Sequence, residues 1–170
     1  YPDMPKTDQR ADAKLIQNIL SYMETPQYLR KRLFKIVPEL QYAGTLPPLR
    51  TPHHPTANKT ENLHVNEFRE GATISMTEKD SLVDIGVEQP ALVQGVTLKP
   101  NTRVTVRIRE VGKRPKAVLA VAAEVKAYWG YRVAVADVAL VQTIRQGHFD
   151  LVVATSKKGK PISSVLHELK

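Results

Sequence analysis

Arg103-Val104-Thr105-Val106-Arg107-Ile108-Arg109 alternates polar and apolar residues without a break, the period of a strand with one face buried. Ala72, Ile74 and Met76 alternate in the same way upstream. Turn signals at Glu78-Lys79-Asp80, Gly86, Gly95, Lys99-Pro100-Asn101 and Gly112-Lys113-Arg114-Pro115 divide the stretch into about five short strands. That number of strands predicts a small closed barrel of the OB type over residues 60–127. Arg103, Arg107 and Arg109 then share an outer face, and Lys113, Arg114 and Lys116 extend the basic path.

The charge of this stretch is polarised. Residues 60–98 hold two basic residues against seven acidic ones, while 99–116 hold seven basic residues against Glu110 alone. A basic groove on a small barrel suits single-stranded nucleic acid. Phe68 is the only aromatic between residues 66 and 126, so phosphate contact is expected over base stacking. The alternative is a solvated strand face paired with the acidic half of the same barrel.

Residues 1–59 read as helical. Leu15, Ile16, Ile19, Leu20 and Met23 recur at helical spacing from about Gln9 to Met23 and predict one buried stripe. Thr25 as cap and Pro26 at the first helical position start a second helix that carries Tyr28, Leu29, Leu33 and Phe34 inward. A turn from Pro38 should stop at a left-handed Gly44. Four prolines within Leu46–Pro55 then predict a stiff extended linker. His53-His54 within it lacks a third ligand at metal spacing, so it reads as part of a rigid loop packing on the domain, and no metal is expected.

Residues 128–170 open with Tyr128-Trp129-Gly130-Tyr131, which reads as an aromatic anchor where the chain re-enters a domain. A helical run through Val138, Val141 and Ile144 stops at Gly147. Phe149-Asp150-Leu151-Val152-Val153-Ala154 predicts a strand buried on both faces, as in a parallel sheet. The Thr155–Lys160 loop lies at its carboxyl end, where open α/β sheets bind ligands. Its lysines suit an anionic ligand, and Ser163 or Ser164 should cap a further helix. A buried parallel strand needs neighbours, and no second run of this kind is present, so the α/β sheet is expected to be incomplete.

Overall composition agrees with a globular domain. The chain has 170 residues, 42% of them apolar, with a formal charge of +8 and no cysteine. Sulfur redox chemistry and thiolate metal sites are excluded, and a soluble, cytoplasmic protein without a membrane span is expected. The nucleophile-elbow, zincin, P-loop and dinucleotide motifs are absent.

Five strings carry a resemblance: Tyr22-Met23-Glu24-Thr25-Pro26-Gln27-Tyr28-Leu29-Arg30-Lys31, the run from Gly44 to Pro55, Leu82-Val83-Asp84-Ile85-Gly86, Tyr128-Trp129-Gly130-Tyr131, and Leu151-Val152-Val153-Ala154-Thr155-Ser156. Together they closely resemble the archaeal and eukaryotic family of RNA methyltransferases in the SPOUT superfamily, and most of all an archaeal member. The resemblance implies an α/β domain ending in a trefoil knot, interrupted by an OB-like barrel. It further implies S-adenosylmethionine as cofactor, RNA as substrate and a homodimer. Thr155 and Ser156 would line the cofactor pocket by analogy. Lys157-Lys158 stands where related enzymes often place an RNA-positioning arginine. The family's knot lies C-terminal to Lys170, so this chain alone is expected to be inactive, and no catalytic base is identified. The rival expectation is a non-catalytic RNA-binding or assembly protein that keeps the SPOUT framework. A weaker third is an interaction scaffold using the Pro-rich segment.

Overall fold

Strands β1 (Phe68–Met76), β2 (Ser81–Asp84), β3 (Ala91–Val93), β4 (Arg103–Glu110) and β5 (Lys116–Ala120) form the centre of the computed structural model. They close into a barrel in the order β1-β2-β3-β5-β4. Every neighbouring pair is antiparallel except β3 with β5, which is parallel. This is the five-stranded, OB-like barrel expected from the alternation. The structure describes residues 6–56, 58–154 and 156–169 and divides into two units, Tyr1–Val135 and Ala136–Lys170.

Val83, Ile85, Ala91, Val93, Val106 and Ile108 have no exposed surface and fill the barrel with Leu63 and Ala117. β-Branched residues dominate this list because their stiff side chains pack well on a pleated surface. The alternation expected along β1 holds at Ala72 but breaks beyond it. Thr73 pairs with Val83 and Ser75 with Leu82, so a bulge at Ile74 shifts the register and leaves Met76 half exposed.

Helices α1 (Lys6–Glu24) and α2 (Gln27–Leu33) precede the barrel. α2 packs on β1, where residues 69–73 are all buried. Leu29 is fully buried, and the Tyr28 hydroxyl donates to the Glu70 carbonyl at 2.7 Å. The Tyr28 ring lies against Gly86, whose φ of +79° and lack of a side chain permit that approach.

Several expectations change in the helical region. The α1 stripe is only partly covered: Leu15, Ile16 and Leu20 are exposed, because the face they share has little packed on it. Pro26 itself is the cap of α2, and the Thr25 hydroxyl turns back to the Ser21 carbonyl at 2.9 Å. Gly44 sits inside a 3-10 turn, Ala43–Thr45, and is not left-handed. The Pro-rich stretch is no plain extended linker. It turns at Thr51–His54, closed by the His54 N–H on the Thr51 carbonyl, and buries His53 completely.

In the second unit, α3 (Leu140–Gln146) ends before Gly147 as expected. α4 (Ile162–Val165) follows Pro161, so Ser163 and Ser164 lie inside the helix, and Ser164 donates to the Pro161 carbonyl. The buried strand at 149–154 does not form. These residues are irregular, and Phe149, Leu151, Val152 and Val153 are half exposed or more. A strand needs partner backbone for its N–H and C=O groups, and among the described residues all ladders belong to the barrel.

Candidate nucleic-acid interface

β4 begins at a buried polar junction. The Arg103 guanidinium donates through Nη1 and Nη2 to the two Glu24 carboxylate oxygens at 2.6 and 2.9 Å, and through Nε to Glu70 at 2.7 Å. Glu70 pairs with Thr105 across β1 and β4 and accepts hydrogen bonds from the Thr105 hydroxyl and, at 2.7 Å, from the Trp129 indole. Glu24 lies at the end of α1, so this junction ties the helices, the barrel and the Trp129 segment together.

His53 and His54 complete it. Their Nε2 atoms lie 3.0 and 2.7 Å from the Glu24 main-chain carbonyl, and His53 Nε2 is also 3.3 Å from the Glu24 carboxylate. Burial lowers the His54 pKa below its ordinary value. Burial also opposes ionisation of Glu24, but hydrogen bonds and charge from His53 and Arg103 outweigh it and hold its pKa at about 2. The Arg103 pKa is raised above its ordinary value, since Glu24 and Glu70 overcome the effect of burial. No cluster of three or more metal-ligating side chains occurs among the described residues, and His53-His54 serves packing.

Gly130 has φ +92°, and a Cβ there would collide with Glu24 Oε1 and crowd His53 Nε2. Trp129 lies 6.2 Å from Phe68 between ring centroids, and the Tyr131 hydroxyl reaches the Leu20 carbonyl at 2.9 Å. The aromatic run therefore anchors the chain, as its composition suggested.

The structure sorts the expected RNA-contacting cations into two sets. Arg103 is held by two carboxylates, and Lys116 pairs with Glu110 at 2.7 Å. Arg107, Arg109, Lys113 and Arg114 have no carboxylate partner among the described residues. Arg107 is half-buried on β4, and its Nε has no hydrogen-bond partner. Arg109 sits at a bulge between Ile108 and Glu110, which takes it out of the strict alternation and leaves it exposed. Lys113 and Arg114 are exposed in the β4–β5 loop. Glu24, Glu70 and His53 were not singled out as site residues. Glu24 and Glu70 carry no motif in the sequence that marks them, whereas His53 was legible as part of a loop packing on the domain.

In the second unit, Lys157 and Lys158 are exposed in a tight turn closed by the Gly159 N–H on the Ser156 carbonyl, and Ser156 Oγ accepts from the Lys158 N–H at 3.2 Å. Thr155 lies outside the described residues. Every described residue from 144 to 164 is exposed, so the surroundings of Ser156 offer polar groups without an enclosing wall for a nucleoside cofactor.

The mouse and human proteins named 28S rRNA (uridine-N(3))-methyltransferase are 32% and 33% identical over 163 and 164 residues, each covering 88% of this chain. An uncharacterized protein of Halobacterium salinarum is 26% identical over 152 residues, covering 87% of this chain and 50% of its own length. The chain spans about two fifths of the length of the two mammalian relatives, 41% and 42%. The family model described as "Putative RNA methyltransferase" matches residues 2–170, and the chain belongs to that family.

Proposed function

We propose that this chain is the RNA-gripping part of an S-adenosylmethionine-dependent RNA methyltransferase. The observation that carries the reading is the set of uncompensated cations, Arg107, Arg109, Lys113 and Arg114, on β4 and the β4–β5 loop of a closed five-stranded barrel. Phosphates of a single strand neutralise such a path, and base-independent affinity follows. Family membership and the names of the mammalian relatives support RNA as substrate and methyl transfer as the reaction. The archaeal relatives support an archaeal origin.

The finer architecture is part of the same proposal: an SPOUT-type α/β domain to which residues 1–59 and 128–170 contribute, with its knot C-terminal to Lys170, the barrel of 60–127 inserted, and a homodimer acting in the cytoplasm. No helix among the described residues is long and apolar enough to cross a membrane. S-Adenosylmethionine would supply the methyl group. The exposed turn at Ser156–Gly159 does not by itself enclose it, so no step is assigned to Ser156, Lys157 or Lys158. The second reading is an RNA-binding protein that keeps the framework without turnover.

The test is fluorescence anisotropy with a labelled single-stranded oligoribonucleotide across a salt series. Arg107→Gln with Arg109→Gln should weaken binding and flatten the logarithmic salt slope by about 1.4, two phosphates at about 0.7 each. An unchanged slope would remove the barrel from the RNA interface. Calorimetric titration of S-adenosylmethionine into this chain and into a version extended C-terminally towards the length of its mammalian relatives separates the two readings: heat of binding in the extended version supports the enzyme, and its absence in both supports the binding protein.

A further inference from the structure

A groove of about 360 Å³ lies at the rim of the barrel where β4 begins and β5 ends, lined by Arg103, Val104, Thr105, Leu119, Ala120, Val121 and Glu124. Leu119 and Val121 are 39% and 62% exposed, so its apolar walls are open to a ligand. We propose that this groove receives one unstacked base of a single-stranded RNA. The inference rests on RNA being the ligand, as proposed above, and adds the way the strand is read.

Local charge first excludes a phosphate. Arg103 is the only cation lining the groove, and it is already bonded to Glu24 and Glu70. Glu124 adds a third carboxylate, so three negative charges surround one positive charge. An anion would be repelled at this spot, although the unpaired Arg107 lies only four residues further along β4, about 13 Å.

A base edge fits what remains. Arg103 has five N–H donors, and its four hydrogen bonds to Glu70, Glu24 and Thr25 leave one Nη2–H unused. Those bonds also prevent the guanidinium from swinging away. Glu124 is fixed by the Val121 N–H on its Oε1 at 3.1 Å, and its Oε2 has no partner among the described residues. Arg103, held by its carboxylate partners, and the fixed Glu124 acceptor therefore both line a groove walled by Val104, Leu119 and Val121. A nucleobase has apolar faces and an edge carrying both an N–H and an acceptor, and it matches both features. The volume is at the small end of the ~300–1,000 Å³ usual for ligand sites. Base pairs in a duplex keep their edges paired and stacked, so only a single strand can deliver such a base.

The experiment compares three ligands of equal length by anisotropy with the full 170-residue chain: a single-stranded oligoribonucleotide, the same sequence annealed to its complement, and an abasic ribose-phosphate strand. The single strand should bind about tenfold more tightly than the abasic strand, the worth of one seated base. Glu124→Gln keeps the acceptor for the Val121 N–H but loses the charge, and Val121→Glu fills an exposed wall with an acid. Each should cut the tenfold preference to about threefold or less while the salt slope stays unchanged, since neither touches the phosphate path. Equal binding of base-bearing and abasic strands, or full preference in both variants, would overturn the pocket. Absence of salt-dependent binding to all three ligands would overturn the RNA reading itself.

Discussion

Replacing Arg103 with methionine should destabilise the Tyr1–Val135 unit by about 2–4 kcal/mol. Methionine keeps much of the aliphatic volume, so the loss isolates the charge. Glu24 and Glu70 are 6% and 4% exposed, and the guanidinium is hydrogen-bonded to both. Removing one partner of a buried pair costs about 3–5 kcal/mol, and His53 beside Glu24 and the Thr105 and Trp129 donors on Glu70 replace only part of what the guanidinium supplies. The Arg103 side chain is 29% exposed, so water entering its place relieves part of that cost. At about 2–4 °C per kcal/mol for a chain of this size, Tm should fall by about 5–15 °C in a calorimetric scan at pH 7. The pH dependence should also change sign. In the native protein the Glu24 pKa is lowered from 4.5 to about 2, so its stabilisation is complete above about pH 4.5 and is lost as pH falls towards 2. In the variant two buried carboxylates have no shared cation between them, and burial then favours the protonated form of one of them over its form in the unfolded chain. Its stability should therefore rise as pH falls from 7 towards 5. A loss below about 1 kcal/mol, or an acid limb that parallels the native protein, would refute the role given to this junction.

Gly130→Ala should lower stability by about 2 kcal/mol or more, since the new Cβ meets Glu24 at a left-handed φ; urea unfolding checks this, and a neutral result would mean the turn can relax. Ile108→Ala should cost about 2–5 kcal/mol by opening a cavity in the barrel, read from the same unfolding curves. Trp129→Phe should cost about 1–2 kcal/mol through the lost hydrogen bond to Glu70, and because it removes the one tryptophan, circular dichroism follows the transition.

The barrel was legible because a strand with one buried face must alternate, and β4 does so from Arg103 to Ile108. The bulges at Ile74 and Arg109 were not legible, since an extra residue changes register without changing composition. The run from Phe149 to Ala154 shows the limit from the other side. Its apolar composition is that of a buried strand, but a strand exists only through its neighbours, and among the described residues it has none.

The site divides in the same way. Sequence by itself determined that a closed barrel forms and that its cations collect on β4 and the loop after it, because both follow from short-range alternation and residue identity. Only the tertiary structure decided which of those cations remain available. Glu24 is 79 residues from Arg103 along the chain, and Glu70 is 33, so their hydrogen bonds to its guanidinium depend on how α1 and β1 meet β4. Ion pairing is a matter of a few ångströms in space, and local pattern carries no information about distances of that kind between remote residues.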